Sequence, residues 1–213
     1  MNYIEKYYGG IKSGQIVVSD KVRRVFKHLA GKINDKNAQY IYDDAKAQYA
    51  IDFIQTFCKH SKGKWGGKPV ILELWQKAIT AALFGFVDKD TGLREYRQLI
   101  LIVARKNGKS TLASCLGLYL LVADGEAGPE IYSAATKKDQ AKIIWREACS
   151  MIKKSPALNK KLDLRVSVIR SRFNEGTFEP LGSDSDKLDG LNVHGALIDE
   201  LHALKDKNLY DVL

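Results

Sequence analysis

Two stretches of this chain hold residues suited to phosphoryl chemistry. The first is 98–112, QLILIVARKNGKSTL, in which Gly108, Lys109 and Ser110 spell the end of a phosphate loop. Glycine lets backbone N–H groups approach an anion, lysine reaches the outer phosphates, and a serine hydroxyl can ligate Mg²⁺. The usual pattern G-x-x-x-x-G-K-[ST] places its first glycine where this chain has Val103, so the orthodox match fails. Context supplies what the pattern lacks. An apolar run precedes the tripeptide and a helical pattern follows it, a setting that turns a helix N-terminus toward an anion.

The second stretch is 195–200, GALIDE. Three apolar residues end in a carboxylate pair, with Asp199 placed to hold Mg²⁺ through water and Glu200 placed to orient or deprotonate an attacking water. An apolar run ending in Asp-Glu is common at strand ends. Its weight comes from the loop upstream.

The elements that must position these groups follow from periodicity. Five unbroken apolar residues at 99–103 predict a strand buried on both faces of a parallel sheet, and 111–122 predicts a helix. A second strand is expected over 130–135. Thr136 to Asp139 reads as a capping-box variant opening a helix whose apolar face is Ala141, Ile144, Trp145, Ala148 and Ile152. Alternation at 164–168 and the turn residues Asn174-Glu175-Gly176 predict a hairpin with 177–181, and 196–198 reads as a further strand. Strands alternating with helices indicate the α/β class, with a mostly parallel central sheet flanked by helices.

The first third reads as helices. Ser19 caps a stripe of Val22, Val25, Phe26 and Leu29, and Ala47, Ala50, Ile51, Ile54 and Phe57 form another. The basic, glycine-rich 61–70, SKGKWGGKPV, reads as a loop at a boundary. It divides an N-terminal helical region, 1–68, from an α/β domain, 69–213. A third helix carries Trp75, Ile79, Ala82, Leu83 and Phe86 on one face, and 88–92 reads as a turn.

Composition narrows the class of partner. The chain has 213 residues, 45% hydrophobic and 9% aromatic, which suits a globular core. Lys and Arg number 34 against 25 Asp and Glu, a net charge of +9 that favours polyanions such as nucleic acid. No run spans a bilayer and the N-terminus lacks the apolar core of a signal peptide, so a cytoplasmic protein is expected. Cys58, Cys115 and Cys149 are scattered, and are read as buried small hydrophobes rather than disulfides or metal ligands.

Taken together, 104–111 (ARKNGKST), 132–141 (YSAATKKDQA) and 188–202 (LDGLNVHGALIDELH) resemble the ATPase part of the large terminase subunit of tailed bacteriophages. The resemblance runs from about Gly67 onward. It implies an additional-strand P-loop NTPase fold, ATP and Mg²⁺ as cofactors, and hydrolysis coupled to translocation of double-stranded DNA. Such proteins typically replace the first loop glycine and carry a loop arginine, so Val103 fits and Arg105 matches that arginine. Arg105, Lys106, Asn107, Gly108, Lys109, Ser110 and Thr111 would then surround the phosphates, with Arg105, Lys109 and Glu200 catalytic and Ser110 and Asp199 at the metal. Gln76, in LELWQK, would read adenine, because an amide donates and accepts at once. Further implied partners are a small terminase subunit, a portal protein and other copies of the chain, in the host cytoplasm.

Two features depart from the family. The chain ends at Leu213, before the coupling motif and nuclease domain of a full large terminase, which implies a fragment or truncated product. The arginine that many terminases carry eleven residues before the catalytic glutamate is here Asp189, so Arg146, Arg170 and Arg172 stand beside Arg105 as candidates for stabilising the transferring phosphoryl group. Two other functions fit the residues: a helicase-like motor fragment, and a non-catalytic DNA-binding or assembly remnant. Asp184, Asp186 and Asp189 miss calcium-loop spacing, and His194 and His202 fit no metal spacing. The pairs Lys137-Lys138, Lys153-Lys154 and Lys160-Lys161 read as solvated faces.

Overall fold

The computed structural model describes residues 2–35, 37–182 and 190–201. Asp184, Asp186, Asp189 and His202 lie outside them. The chain divides into two compact units, 1–52 with 71–102, and 53–70 with 103 onward.

The first unit holds α1 (Tyr3–Lys12), α2 (Asp20–Lys32), β1 (Tyr40–Tyr42), most of α3 (Asp44–Phe57), α4 (Leu74–Gly85) and β2 (Phe86–Asp88). Ser19 caps α2 as expected, its side chain accepting from Val22 N, but only Phe26 and Leu29 of the predicted stripe are buried, while Val25 is exposed. Sequence reading gave no helix for α1, whose Ile4, Tyr7 and Ile11 are buried at helical spacing. Tyr7 meets Phe26 edge-on with centroids 4.6 Å apart. In α4 the buried residues are Ala78, Thr80, Ala81, Ala82, Phe84 and Gly85; of the predicted face Ala82 is buried, Trp75, Ile79 and Leu83 are only partly so, and the buried Phe86 already belongs to β2. β1 and β2 pair antiparallel. Asp88 Oδ1 accepts from the N–H groups of Asp90 and Thr91, closing the expected turn.

The second unit is built on a five-stranded sheet in the order β4-β5-β6-β3-β7. Its strands are β3 (Glu130–Ala135), β4 (Leu162–Leu164), β5 (Ile169–Ser171), β6 (Thr177–Gly182) and β7 (Val193–Ile198). β3 pairs in parallel with both β6 and β7, and an antiparallel ribbon of β4 and β5 borders β6. The predicted hairpin is thus made by β5 with β6. The 164–168 segment turns outward after Leu164, leaving Val166 98% exposed.

Two helices, α5 (Lys109–Val122) and α6 (Lys138–Lys154), pack together on the sheet face that carries Ile131, Phe178 and Leu197. Ala141, Ile144, Trp145, Ala148 and Ile152 of α6 are all buried, as its stripe predicts. Trp145 Nε1 donates to the carbonyl of Phe178 at 3.0 Å, which satisfies the indole while its ring fills the core. The short α7 (Pro156–Lys161) follows with proline in its first turn. Tyr132, Ala134 and Leu181 cluster with Leu191, Val193 and Ile198 on the other sheet face.

Two expectations fail here. Thr136 does not cap α6: its hydroxyl donates to Gln140 Oε1 and Lys137 holds the N-cap without a side-chain bond. The predicted strand 99–103 has no regular secondary structure, and Ile100 and Ile102 are 74% and 93% exposed. Apolar residues become a buried strand only when a neighbouring strand satisfies their N–H and C=O groups. Among the described residues β7 pairs only with β3, and nothing pairs with 99–103.

Candidate functional site

Gly108 is the N-cap of α5 with φ 76 and ψ 19, a left-handed conformation that costs glycine nothing. Lys106 also has a positive φ, 66. Asn107 Nδ2 donates to the carbonyls of Ala104 at 3.1 Å and Arg105 at 3.3 Å, which folds the loop onto itself. Among the described residues no side chain caps α5, and the first intrahelical bond runs from Leu112 N to Gly108 O. The N–H groups opening the helix therefore lack a side-chain acceptor, beside the positive end of the helix dipole and the cations Arg105, Lys106 and Lys109. That donor set fits a phosphate group.

The helix start is held from behind. The Ser114 hydroxyl shares its proton between Ser110 O at 2.7 Å and Ile144 O at 2.8 Å, tying α5 to α6. Gly117 lets α5 approach the sheet, since a Cβ there would lie 2.7 Å from Leu197 Cδ1 and 3.0 Å from the Phe178 ring.

Asp199 follows β7, and its N–H donates to Ala134 O at 3.0 Å, extending the pairing with β3. Asp199 Oδ1 accepts from Glu200 N at 3.1 Å, leaving Oδ2 for a cation. Glu200 has φ 54, uncommon for a residue with a side chain and costing on the order of 1 kcal/mol or more. Of three such residues among those described, Lys106 and Glu200 belong to the two predicted motifs.

Three contacts align α5 with β7. Gly117 lies against Leu197, Leu120 against Gly195, and Asp124 Oδ2 is 2.8 Å from His194 Nε2. Helix and strand thus run antiparallel, which sends the helix start toward the end of β7 that carries Asp199. From Gly117 back to Lys109 the helix rises about 12 Å, and from Leu197 to Asp199 the strand advances about 7 Å. Gly108, Lys109, Ser110 and Thr111 therefore share one end of the unit with Asp199 and Glu200. His194 and Asp124 mark the other end, away from this chemistry. A cation between Ser110 and Asp199 would have one hydroxyl and one carboxylate from the protein, which suits Mg²⁺ because that ion keeps several waters.

Gln76 stands in the first unit. Its Oε1 accepts from Glu73 N at 2.9 Å, so the side chain caps α4, while the second lone pair and both amide protons have no bond among the described residues. Arg105, Lys106 and Asn107 are exposed, and Arg105 has no ion-pair partner among the described residues.

Sequence reading missed Glu147. Its Oε2 accepts from Ser61 Oγ at 2.6 Å and its Oε1 from Thr111 Oγ1 at 3.4 Å, linking 53–70 to the first turn of α5. No motif marks it, because its role arises where α6 meets a loop distant in sequence. Cys58 and Cys115 are buried as expected, but Cys149 is partly exposed, and burial pushes its thiol up to about 11.

Comparisons with known proteins fit this geometry. A terminase large subunit of Enterobacteria phage HK97 is 31% identical over 123 residues, 57% of this chain and 23% of that protein. The crystal structure of the HK97 bacteriophage large terminase matches with TM-score 0.66 and 25% identity, covering 78% of this chain and 34% of that one. The matches thus span well under half the length of those relatives. The mixed α/β architecture, with its mostly parallel sheet flanked by helices, is that of a terminase P-loop ATPase domain. A family model for the terminase large subunit, ATPase domain, matches residues 74–213, which take in Gln76, the 104–111 segment, Asp199 and Glu200, and the chain belongs to that family.

Proposed function

We propose that this chain is the ATP-hydrolysing part of a DNA-packaging motor, coupling hydrolysis to translocation of double-stranded DNA. The observation that carries the reading is that the uncapped start of α5 and the Asp199-Glu200 pair lie at one end of the same sheet. Mg²⁺-ATP would supply the terminal phosphoryl group that water attacks. Lys109 and the opening N–H groups of α5 bind the phosphates, with Lys106, Asn107 and Thr111 shaping the cradle. Ser110 and Asp199 hold the cation. Glu200 orients the water and takes its proton, and Arg105 stabilises the charge that develops on the phosphoryl oxygens. Gln76 offers adenine its amide protons and remaining lone pair.

The family match beginning at residue 74 supports a functional division into an N-terminal helical region, 1–68, and an ATPase domain from 69 onward. The partners of this reading are duplex DNA, a small terminase subunit, a portal protein and further copies of the chain, in the host cytoplasm. No helix among the described residues is long and apolar enough to cross a membrane. Labelled-ATP binding and phosphate release, with and without duplex DNA, test the proposal. Lys109→Ala should weaken ATP binding by about 1.5–3 kcal/mol, the worth of a hydrogen bond to a charged group. Equal binding by parent and variant would refute the phosphate-loop assignment.

A further inference from the structure

One basic feature takes no part in the chemistry above. Between Asp52 and Glu73 the chain carries Lys59, Lys62, Lys64 and Lys68 and no carboxylate. The loop is built rather than loose: Gly67 N donates to His60 O, His60 N to Lys68 O, and Val70 N to Cys58 O, all at 2.8–3.0 Å. Lys59 and Pro69 form an antiparallel bridge, and Gly63–Trp65 is a 3₁₀ turn. Ser61 anchors the loop to α6 twice, its hydroxyl donating to Glu147 and its carbonyl accepting from Lys154 Nζ.

At the tip of this frame Trp65 is 51% exposed. Lys64 Nζ lies 5.2 Å and Lys68 Nζ 5.0 Å from its ring centroid. Residues 62–69 are all exposed, and no ion pair neutralises Lys62, Lys64 or Lys68 among the described residues. A large indole presented to water on a hydrogen-bonded loop and flanked by two unneutralised ammonium groups has the composition of a nucleic-acid contact. Lysines neutralise phosphates, and the ring packs on sugar or base edges.

We infer that the Trp65 loop is a contact surface for the sugar-phosphate backbone of duplex DNA. This inference rests on the proposed DNA-translocating role and adds to it the surface that meets the DNA. The lysines provide the salt-dependent part of binding, and Trp65 adds a contact that salt does not screen.

The test measures binding of the full chain to a fluorescent duplex over a range of salt, beside labelled-ATP binding by the same preparations. The triple variant Lys62→Ala/Lys64→Ala/Lys68→Ala should bind duplex at least tenfold more weakly. Its log-log salt slope should fall by about 0.9 for each phosphate no longer neutralised by a lysine. Trp65→Ala should weaken binding severalfold and leave the slope unchanged. Both variants should bind ATP as the parent does. Duplex affinity and slope equal to the parent's in the triple variant would overturn the inference. So would preferential binding of single strands, or displacement of the duplex by polyglutamate at matched charge, which would indicate an acidic protein partner. A parent that binds duplex through this loop yet binds no ATP would instead refute the nucleotide site and leave the loop assignment intact.

Discussion

The Ser61 hydroxyl donates to Glu147 Oε2 at 2.6 Å, and this bond joins the loop before α4 to α6, the helix packed against α5. The other oxygen of Glu147 meets Thr111 Oγ1 at 3.4 Å, long for an O–H···O bond and correspondingly weak. The two hydroxyls should therefore contribute unequally. Ser61→Ala should cost about 1–2 kcal/mol in urea unfolding and Thr111→Ala less than half of that. Glu147→Ala, which strands both hydroxyls, should cost about 1–3 kcal/mol, and Glu147→Gln should recover much of it. A larger loss for Thr111→Ala than for Ser61→Ala would show that the ranking by distance is wrong.

Packing of α5 on the sheet gives a second expectation. A Cβ on Gly117 would lie 2.7 Å from Leu197 Cδ1 and 3.0 and 3.2 Å from the ring of the fully buried Phe178. Overpacking of this kind costs about 1–3 kcal/mol, more than the ~1 kcal/mol gained in helix propensity. Gly117→Ala should lower the melting temperature. At Gly31, in α2, a Cβ would meet nothing within 4 Å, and Gly31→Ala should raise stability by about 0.5–1 kcal/mol. Opposite signs at the two positions are the result to look for.

These contrasts show what the sequence made legible. The start of α5 beside the GKS tripeptide and the end of β7 before Asp199-Glu200 were legible, because an apolar pattern begins or stops at each of those boundaries. The α6 stripe was readable because one continuous face is buried. By contrast, 99–103 has the composition of a buried strand, but pairing rather than composition decides whether a strand forms, and no described strand borders it. Thr136 carries capping chemistry that its hydroxyl spends on Gln140 instead. Glu147 and Ser61 are 86 residues apart, and no local pattern joins them. In α1 the signal was present in Ile4, Tyr7 and Ile11, but tyrosines and paired glycines obscured it.

Thiol chemistry offers a check on burial. Desolvation raises the Cys149 thiol to about 11, so below that pH the reactive thiolate is the minor form. Alkylation of Cys149 should climb about tenfold per pH unit from pH 7 to 10 without levelling off. Cys58 and Cys115 are fully buried and should react only on unfolding. A rate plateau near pH 8.5, followed by mass spectrometry of the Cys149 peptide, would contradict the raised value.

The paired carboxylates should separate by phenotype. Glu200→Gln keeps size and hydrogen bonding but removes the base, so ATP should still bind while hydrolysis falls by about 10²–10⁴. Asp199→Asn should instead raise the Mg²⁺ concentration needed for half-maximal turnover, because Oδ2 is the oxygen left open to a cation. A metal requirement shifted by Glu200→Gln and not by Asp199→Asn would reverse the two roles.

Arg105 poses the question of whether a site is completed within one chain or between two. The family's usual finger position, Asp189, carries no cation and lies outside the described residues. Arg172 lies 3.8 Å from Asp163, and Arg146 and Arg170 sit on other elements of the second unit. Arg105 belongs to the loop itself, which Asn107 holds by donating to the carbonyls of Ala104 and Arg105, and it has no ion-pair partner among the described residues. Its guanidinium is exposed and only four residues before Lys109, which is the basis for the proposed action in cis. Arg105→Ala should therefore lower turnover by about 10³ or more while ATP affinity changes little. Mixing Arg105→Ala with Glu200→Gln protein decides between the two arrangements, since a trans-acting arginine from the Glu200→Gln chain would complete the intact Glu200 site of the other. Acting in cis, neither chain repairs its partner and the mixture stays inactive. Turnover recovered on mixing, measured as phosphate release at protein concentrations that permit assembly, would place Arg105 across a subunit interface.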